Sequence, residues 1–245
     1  MYSFGSGVLI GTRTDIANAT PVNFGLVQDV TINQTANFKT IHGQYSYPLA
    51  GGRGMIKTTG KARVARISGL AFANLFYGVT PATGQIATAF AEAGTVPAVT
   101  PFTITVANSA TFVDDNGVVY AATGLPFKKV ASAPILGQYS VAAGVYTFAA
   151  VDASAAVLIT YTYTIAASGQ KLVITNPLLG TTPTFSALFY TTFQNQPTTL
   201  KLNACSCSQL NFGTKLEDFN IPEFDFECFA DAANNVMTWS FSEIS

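Results

Sequence analysis

The chain has 245 residues, of which 12 are Lys or Arg and 13 are Asp or Glu, so its formal net charge is -1. Charged residues make up only 10% of the chain and apolar residues 49%, whereas a soluble domain usually has about 25% charged residues. This composition excludes a general electrostatic attraction to DNA or to anionic membranes. The shortage of charge predicts that copies of the chain or partner proteins cover much of its surface.

The composition also predicts an all-β fold, because Thr, Val, Phe, Tyr and Ile dominate while Lys, Glu, Arg and Met are scarce. No apolar run approaches the roughly 18–20 residues of a membrane span. The first five residues, MYSFG, have neither the basic nor the apolar region of a signal peptide. We therefore expect a protein made in a cytoplasm, without a membrane partner. Three cysteines fit no disulfide framework.

The first predicted strand is Leu26–Gln34, in which apolar and polar residues alternate. Residues 37–54 follow and contain four glycines and one proline, which predicts a long loop or a hairpin tip. This segment displays Tyr45, Tyr47 and Leu49, and such apolar side chains are unusual in a loop that faces only water.

Residues 55–66 predict a basic strand. Lys57, Lys61 and Arg63 share one face with Thr59, and the stretch 53–66 holds five of the twelve basic residues and no acidic residue.

A short helix comes next, because Ser68 can cap its start and Gly78 can end it. It has few polar positions, so we expect it to lie against a sheet. Residues 79–98 are small and rich in Gly, Pro and Thr, which predicts a linker.

The middle of the chain predicts a small inserted β-domain of the immunoglobulin-like type over residues 99–165. Six short β-segments follow one another at hairpin spacing: Phe102–Val106, Val118–Ala121, Phe127–Ala131, Gln138–Val141, Val145–Phe148 and Val157–Ile165. Turns are expected at Asn116-Gly117 and at Ala143-Gly144. The remaining residues, 1–98 and 166–245, then form one discontinuous β-domain. Its late strands are predicted at Lys171–Thr175, Phe185–Phe193 and Thr198–Leu202.

An acidic, aromatic run lies in the C-terminal part of the chain, at residues 216–229. Glu223, Asp225 and Glu227 alternate there with apolar residues, and six of the thirteen acidic residues lie between positions 217 and 231. We consider three interpretations of this run. The acids form a solvated edge strand, or they pair with the basic strand at Lys57, Lys61 and Arg63, or they line a surface that must not hold an anion.

The sequence predicts no active site, no metal and no cofactor. The chain has one histidine, His42, and its Cys205-Ser206-Cys207 run with Cys228 lacks a fourth soft ligand for zinc. Buried free thiols are the expected state of these cysteines. Phosphate-binding loops and nucleophile elbows are missing from the sequence, so we expect that the protein is not an enzyme.

Three stretches resemble the tail tube (major tail) proteins of long-tailed bacteriophages: Gly60-Lys61-Ala62-Arg63, Leu70–Tyr77, and residues 220–226 (NIPEFDF) with Phe229-Ala230-Asp231. The resemblance covers the two outer pieces of the chain. It implies a β-sandwich or partial barrel flanked by one helix, six copies of which form a ring, and rings that stack into a hollow tube.

The resemblance also implies partners and a location. The chain would assemble with itself in the host cytoplasm, meet tape-measure, tail terminator and tail tip proteins, and reside in the virion tail. Genomic DNA would pass through the lumen without specific binding. The inserted module would sit outside the tube, which favours a non-contractile tail. Glu223, Asp225 and Glu227 would face the lumen beside Lys57, Lys61 and Arg63, and Tyr45, Tyr47 and Leu49 would contact an adjacent subunit or ring.

Two other classes share some of these features. One is a different structural subunit, such as a capsid decoration protein or a pilus or adhesin subunit, which would have the same low charge. The other is a glycan-binding β-module, for which the ten tyrosines would supply stacking surfaces.

Overall fold

A computed structural model describes residues 5–66, 68–214 and 216–242 of the chain. The described part is mainly β, which confirms the predicted all-β class. Its strands are β1 Val8–Arg13, β2 Val22–Asn23, β3 Val27–His42, β4 Pro48–Val64, β5 Ala82–Thr95, β6 Thr103–Thr105, β7 Phe112–Tyr120, β8 Lys128–Lys129, β9 Gln138–Ala142, β10 Val145–Phe148, β11 Ala156–Lys171, β12 Phe185–Phe193, β13 Gln196–Asn211, β14 Glu223–Phe229 and β15 Met237–Phe241.

The chain divides into two compact units. The first unit combines the chain before Ala82 with the chain after Lys171, and the second unit is Ala82–Lys171. The second unit therefore begins and ends in β5 and β11, which pair with each other along most of their length. The predicted linker at residues 79–98 is wrong, because most of it is strand β5.

The first unit is built on one antiparallel sheet with the order β2-β1-β12-β13-β14-β4-β3, and β15 pairs separately with β13. Its outermost strands, β2 and β3, are joined by only residues 24–26, which can span about 14 Å when extended. A flat sheet of seven strands would separate its edges by about 29 Å. The sheet is therefore rolled into a partial barrel.

A short helix packs against this rolled sheet. It begins as the α-turn α1 at Gly69–Ala71 and continues as a π-helix over Phe72–Tyr77. The Ser68 hydroxyl accepts a hydrogen bond from the backbone N–H of Ala71 at 3.3 Å, and Gly78 ends the helix with a left-handed φ of 66°. Both predicted helix boundaries are thus confirmed. Leu75 is fully buried against β1, where a Cβ at Gly11 would lie 2.5 Å from Leu75 Cδ1.

The second unit has a four-stranded sheet, β6-β10-β9-β8, and a three-stranded sheet, β5-β11-β7, which contribute to one core. Four tyrosine hydroxyls in this unit donate to carboxylates: Tyr120 to Asp152, Tyr139 and Tyr146 to Asp115, and Tyr161 to Glu92. Buried hydroxyls are thereby satisfied, as a low-dielectric core requires.

Two further local predictions differ from the structure. Asn116-Gly117 lies inside β7, where the pairing with β11 shifts register and Gly117 has a φ of 112°, so these residues form a bulge and not a turn. Of the strand predicted at Lys171–Thr175, only Lys171 is in a strand, because β11 ends at that residue. By contrast, Ala143-Gly144 does turn between β9 and β10, as predicted.

Candidate functional site

The hairpin formed by β3 and β4 extends beyond the rest of the sheet. Strand β14 pairs with β4 only at Thr58–Arg63, whereas β3 and β4 continue to pair from Thr35 opposite Lys57 to His42 opposite Pro48. We call residues 35–57 the arm. With eight residues of β3 at about 3.3 Å each, the arm is roughly 26 Å long.

The arm is exposed along its whole length, although many of its side chains are apolar. Tyr45, Tyr47 and Leu49 are 72%, 84% and 69% exposed. Phe38, Ile41, Met55 and Ile56 are exposed as well. A two-stranded ribbon without a core is at best marginally stable in water, and so many exposed large apolar side chains on one hairpin indicate an interaction site.

Glycines in the arm make room for the apolar side chains. A Cβ at Gly51 would lie 2.5 Å from the Phe38 ring, and a Cβ at Gly43 would lie 2.9 Å from Leu49 Cδ1. These glycines predicted a loop or hairpin tip over 37–54. The structure has a tip, where Tyr45 and Tyr47 lie, but the flanking residues are paired strand, and the Phe38 ring covers the backbone at Gly51.

The predicted acidic and basic residues meet on the polar face of β14 and β4, which we call the charged face. The Glu223 carboxylate forms two ion pairs: Oε2 lies 2.7 Å from Lys61 Nζ, and Oε1 lies 2.6 Å from Arg63 Nη2. Glu227 Oε1 lies 2.7 Å from Lys57 Nζ. Asp225 Oδ1 is 3.9 Å from Lys61 Nζ, which is too long for a hydrogen bond.

These contacts bear on the first two interpretations of the acidic run. Strand β14 lies between β13 and β4, so the interpretation as a solvated edge strand is wrong. Hydrogen bonds from Lys61 and Arg63 hold the pKa of Glu223 below its ordinary value, and the same contact with Glu223 raises the pKa of Lys61. The acids and bases are paired across the strands, as the second interpretation predicts.

The charged face is nearly neutral. Asp29 on β3 lies opposite Arg63 and joins the same face. Four acids (Asp29, Glu223, Asp225 and Glu227) and three bases (Lys57, Lys61 and Arg63) give a local formal charge of 3 − 4 = −1. Each of the three cations is therefore ion-paired with a carboxylate on the neighbouring strand.

The opposite side of the same strands packs into the core of the first unit. Phe226 is fully buried, and its ring lies directly over Gly60 on β4, where any added Cβ would overlap it. Phe224 meets Phe24 edge-on at 5.0 Å between ring centroids. This packing fixes the register of β14 against β4, and the register in turn places the acids opposite the bases.

All three cysteines are free thiols; Cys205 is buried, as predicted for all three, whereas Cys207 and Cys228 are only partly buried. Cys205 and Cys228 lie opposite each other on β13 and β14, and Cys207 lies further along β13. His42 ends β3 within the arm. Within the described ranges, no three His, Cys, Asp or Glu side chains cluster as metal ligands, and no helix is long and apolar enough to cross a membrane.

Sequence reasoning missed several exposed apolar residues. Phe38 and Ile41 lie in the segment predicted as a loop, and Met55 begins the predicted basic strand; all three belong to the arm and are exposed. Trp239 and Phe241 stack on the exposed part of β15, with ring centroids 5.6 Å apart and planes 8° apart. Their i, i+2 spacing is the signal that could have placed them on one face of a strand.

Comparison with known proteins assigns no family to this chain. No protein-family model matches it, and no curated protein matches it in sequence.

Proposed function

We propose that this chain is a structural subunit of a bacteriophage tail tube, assembling into rings, expected to be hexameric, that stack into a hollow tube for the genome. The exposed arm is the observation that carries the proposal. Its large apolar side chains are exposed in the described part of the subunit, and a second copy of the chain would supply a partner of matching chemistry. A head-to-tail contact of this kind generates rings or filaments.

The composition agrees with such a subunit. A chain with 10% charged residues has few groups to keep a large surface hydrated. Burial of its sheet edges and of the arm between neighbours reduces the exposed apolar area and leaves fewer unpaired strand edges. The same contacts serve every copy in a symmetric assembly.

The charged face suits the wall of a DNA channel. Double-stranded DNA binds proteins largely by exchanging its counterions for Lys and Arg. Lys57, Lys61 and Arg63 are held by Glu223 and Glu227, so they present little free positive charge. Repeated around a lumen, this face neither traps DNA nor carries a large uncompensated field.

Substitution of the arm tip tests the proposal. We expect the double variant Tyr45→Ser, Tyr47→Ser to keep its fold, because both side chains are exposed and touch no core residue, but to sediment as a smaller species than the wild type. Phe90→Ser is the matched control, since Phe90 is 83% exposed but belongs to the second unit. Sedimentation velocity over a concentration series measures the outcome. Equal assembly of the wild type and the double variant would count against an arm contact.

A further inference from the structure

Two cysteines of the first unit lie close enough to react with each other. Cys205 on β13 and Cys228 on β14 are directly opposed in the antiparallel pairing, and their sulfur atoms are 3.5 Å apart. Opposed residues in antiparallel strands have Cα atoms about 4.5–5.5 Å apart, which falls within the range that a disulfide bridges.

The two thiols differ in access. Cys205 is fully buried, whereas Cys228 is partly exposed. Cys228 lines an open groove of about 520 Å³ together with Thr58, Phe229 and Met237. A small thiol reagent can therefore approach Cys228 first, with Cys205 directly behind it.

The third cysteine is engaged elsewhere. The Cys207 thiol donates to the backbone carbonyl of Leu75 in the helix at 3.4 Å. In the pairing of β13 with β14, Cys207 lies opposite Phe226 and not opposite Cys228. The geometry thus selects one pair among the three cysteines.

We propose that Cys205 and Cys228 form an oxidisable dithiol, which closes to an intramolecular disulfide when the protein meets a low-molecular-weight disulfide such as oxidised glutathione. The inference does not depend on the proposed function. It identifies a covalent modification site that joins β13 to β14 on the core side of the strand that carries the acidic residues.

The reaction proceeds by two exchange steps. The Cys228 thiolate attacks one sulfur of the reagent, whose S–S bond breaks and releases one thiolate. The Cys205 sulfur then attacks the Cys228 sulfur, the Cys205 proton passes to the second reagent sulfur, and the second reagent thiol leaves. Two protein thiols are oxidised and one reagent disulfide is reduced to two thiols. The hydrogen bond from Cys205 lowers the pKa of Cys228, which favours the thiolate at the accessible position.

Peptide mapping after oxidation tests the proposal. The folded full-length chain is incubated with oxidised glutathione, its remaining thiols are blocked, and it is digested without reduction. We expect one predominant cross-link, Cys205–Cys228, with Cys207 recovered as a free thiol. The Cys207→Ser variant should give the same link, and the Cys228→Ser variant should give no intramolecular link.

The unfolded chain provides the reference. In denaturant the three cysteines are expected to give a mixture that includes the short Cys205–Cys207 loop, because the selecting geometry is lost. We also expect the linked protein to unfold at a higher denaturant concentration than the reduced protein. The proposal is overturned if the folded chain gives the same mixture as the unfolded chain, keeps all three thiols, or stops at a mixed disulfide on Cys228.

Discussion

At the scale of single residues, Gly60 shows how one missing side chain positions the charged face. The Phe226 ring occupies the space above Gly60 where a Cβ would stand. Both residues are buried and lie opposite each other on β4 and β14. This contact holds β4 and β14 in register. The missing side chain at Gly60 in the core therefore helps to place Lys61 beside Glu223 on the surface.

We expect Gly60→Ala to lower the free energy of unfolding of the first unit by about 1–3 kcal/mol, the usual cost of overpacking a core. Trp239 is the only tryptophan and belongs to this unit, so its fluorescence during urea unfolding reports the change. Gly52→Ala is the control, because no atom lies within 4 Å of its added Cβ, and it should change stability by less than about 0.5 kcal/mol. Equal stability of both variants would contradict the packing argument.

The side chain of Asp115 in the second unit is a buried carboxylate that accepts hydrogen bonds from several donors. Its side chain is 3% exposed and accepts from Tyr139 at 2.7 Å, Tyr146 at 2.9 Å and Lys129 Nζ at 3.0 Å. Burial raises the pKa of Asp115, but the hydrogen bonds from Tyr139, Lys129, the Gly117 N–H and Tyr146 together outweigh burial, and the pKa lies below its ordinary value. The same contacts and burial raise the pKa of Tyr139.

This network makes the second unit acid-sensitive. A carboxyl whose pKa is lower in the folded than in the unfolded state stabilises the fold above its unfolded pKa of about 3.9, and the contribution is lost as the pH falls through the folded value. We expect Asp115→Asn to cost about 1–3 kcal/mol at pH 7, since it replaces the acceptor of several hydrogen bonds. The difference from the wild type should shrink below about pH 4.

Native-state hydrogen exchange of peptides from residues 112–148 measures this difference across pH. Asp114→Asn is the control, because the neighbouring Asp114 is exposed, and it should leave the exchange of β9 and β10 unchanged. A gap between wild type and Asp115→Asn that stays constant down to pH 3 would show that the charge of Asp115 is not what stabilises the unit.

At the scale of elements, β4 and β14 act as one charge-balanced pair. Removal of the three acids by Glu223→Gln, Asp225→Asn and Glu227→Gln changes the formal charge of the face from 3 − 4 = −1 to 3 − 1 = +2. We expect this triple variant to gain binding to double-stranded DNA at low salt, with an affinity that falls as salt rises. A filter-binding or anisotropy titration over salt concentration measures the effect.

The reversal control adds Lys57→Gln, Lys61→Gln and Arg63→Gln to the triple variant, and it should return DNA binding to the wild-type level. Binding by the wild type that equals that of the triple variant would show that the carboxylates do not hold the cations away from phosphate.

Local patterns predicted some elements well and others poorly. Ser68 and Gly78 fixed the helix because capping depends on nearby residues, and β12 has the predicted bounds, Phe185–Phe193. Strand β5 was missed because its sequence, ATGQIATAFAEAGT, has weak β-propensity. It is a strand because β11 and its pairing partners impose the conformation, and such tertiary context is not readable from local residues.

The candidate site was predicted in its chemistry but not in its shape. The alternation of acids in β14 and of bases in β4 was visible in the sequence, and so was the possibility that they pair across strands. The arm was visible only as exposed aromatic residues in a segment rich in glycine. Its extent depends on where β14 stops pairing with β4, which is a long-range property of the sheet.

At the scale of the whole molecule, a rolled sheet carries an exposed hairpin arm on a chain with only 10% charged residues. The first unit buries its own core under the helix, yet the arm leaves a long apolar ribbon in water. In the proposed tube, a neighbouring copy would cover the apolar side chains of each arm.

Negative-stain electron microscopy of the purified wild-type chain over a range of concentrations tests this central claim most directly. If the chain assembles as proposed, we expect rings with a central hole, or stacks of such rings as hollow tubes, that become more abundant as the concentration rises. Single particles at every concentration, or aggregates without a central channel, would contradict it.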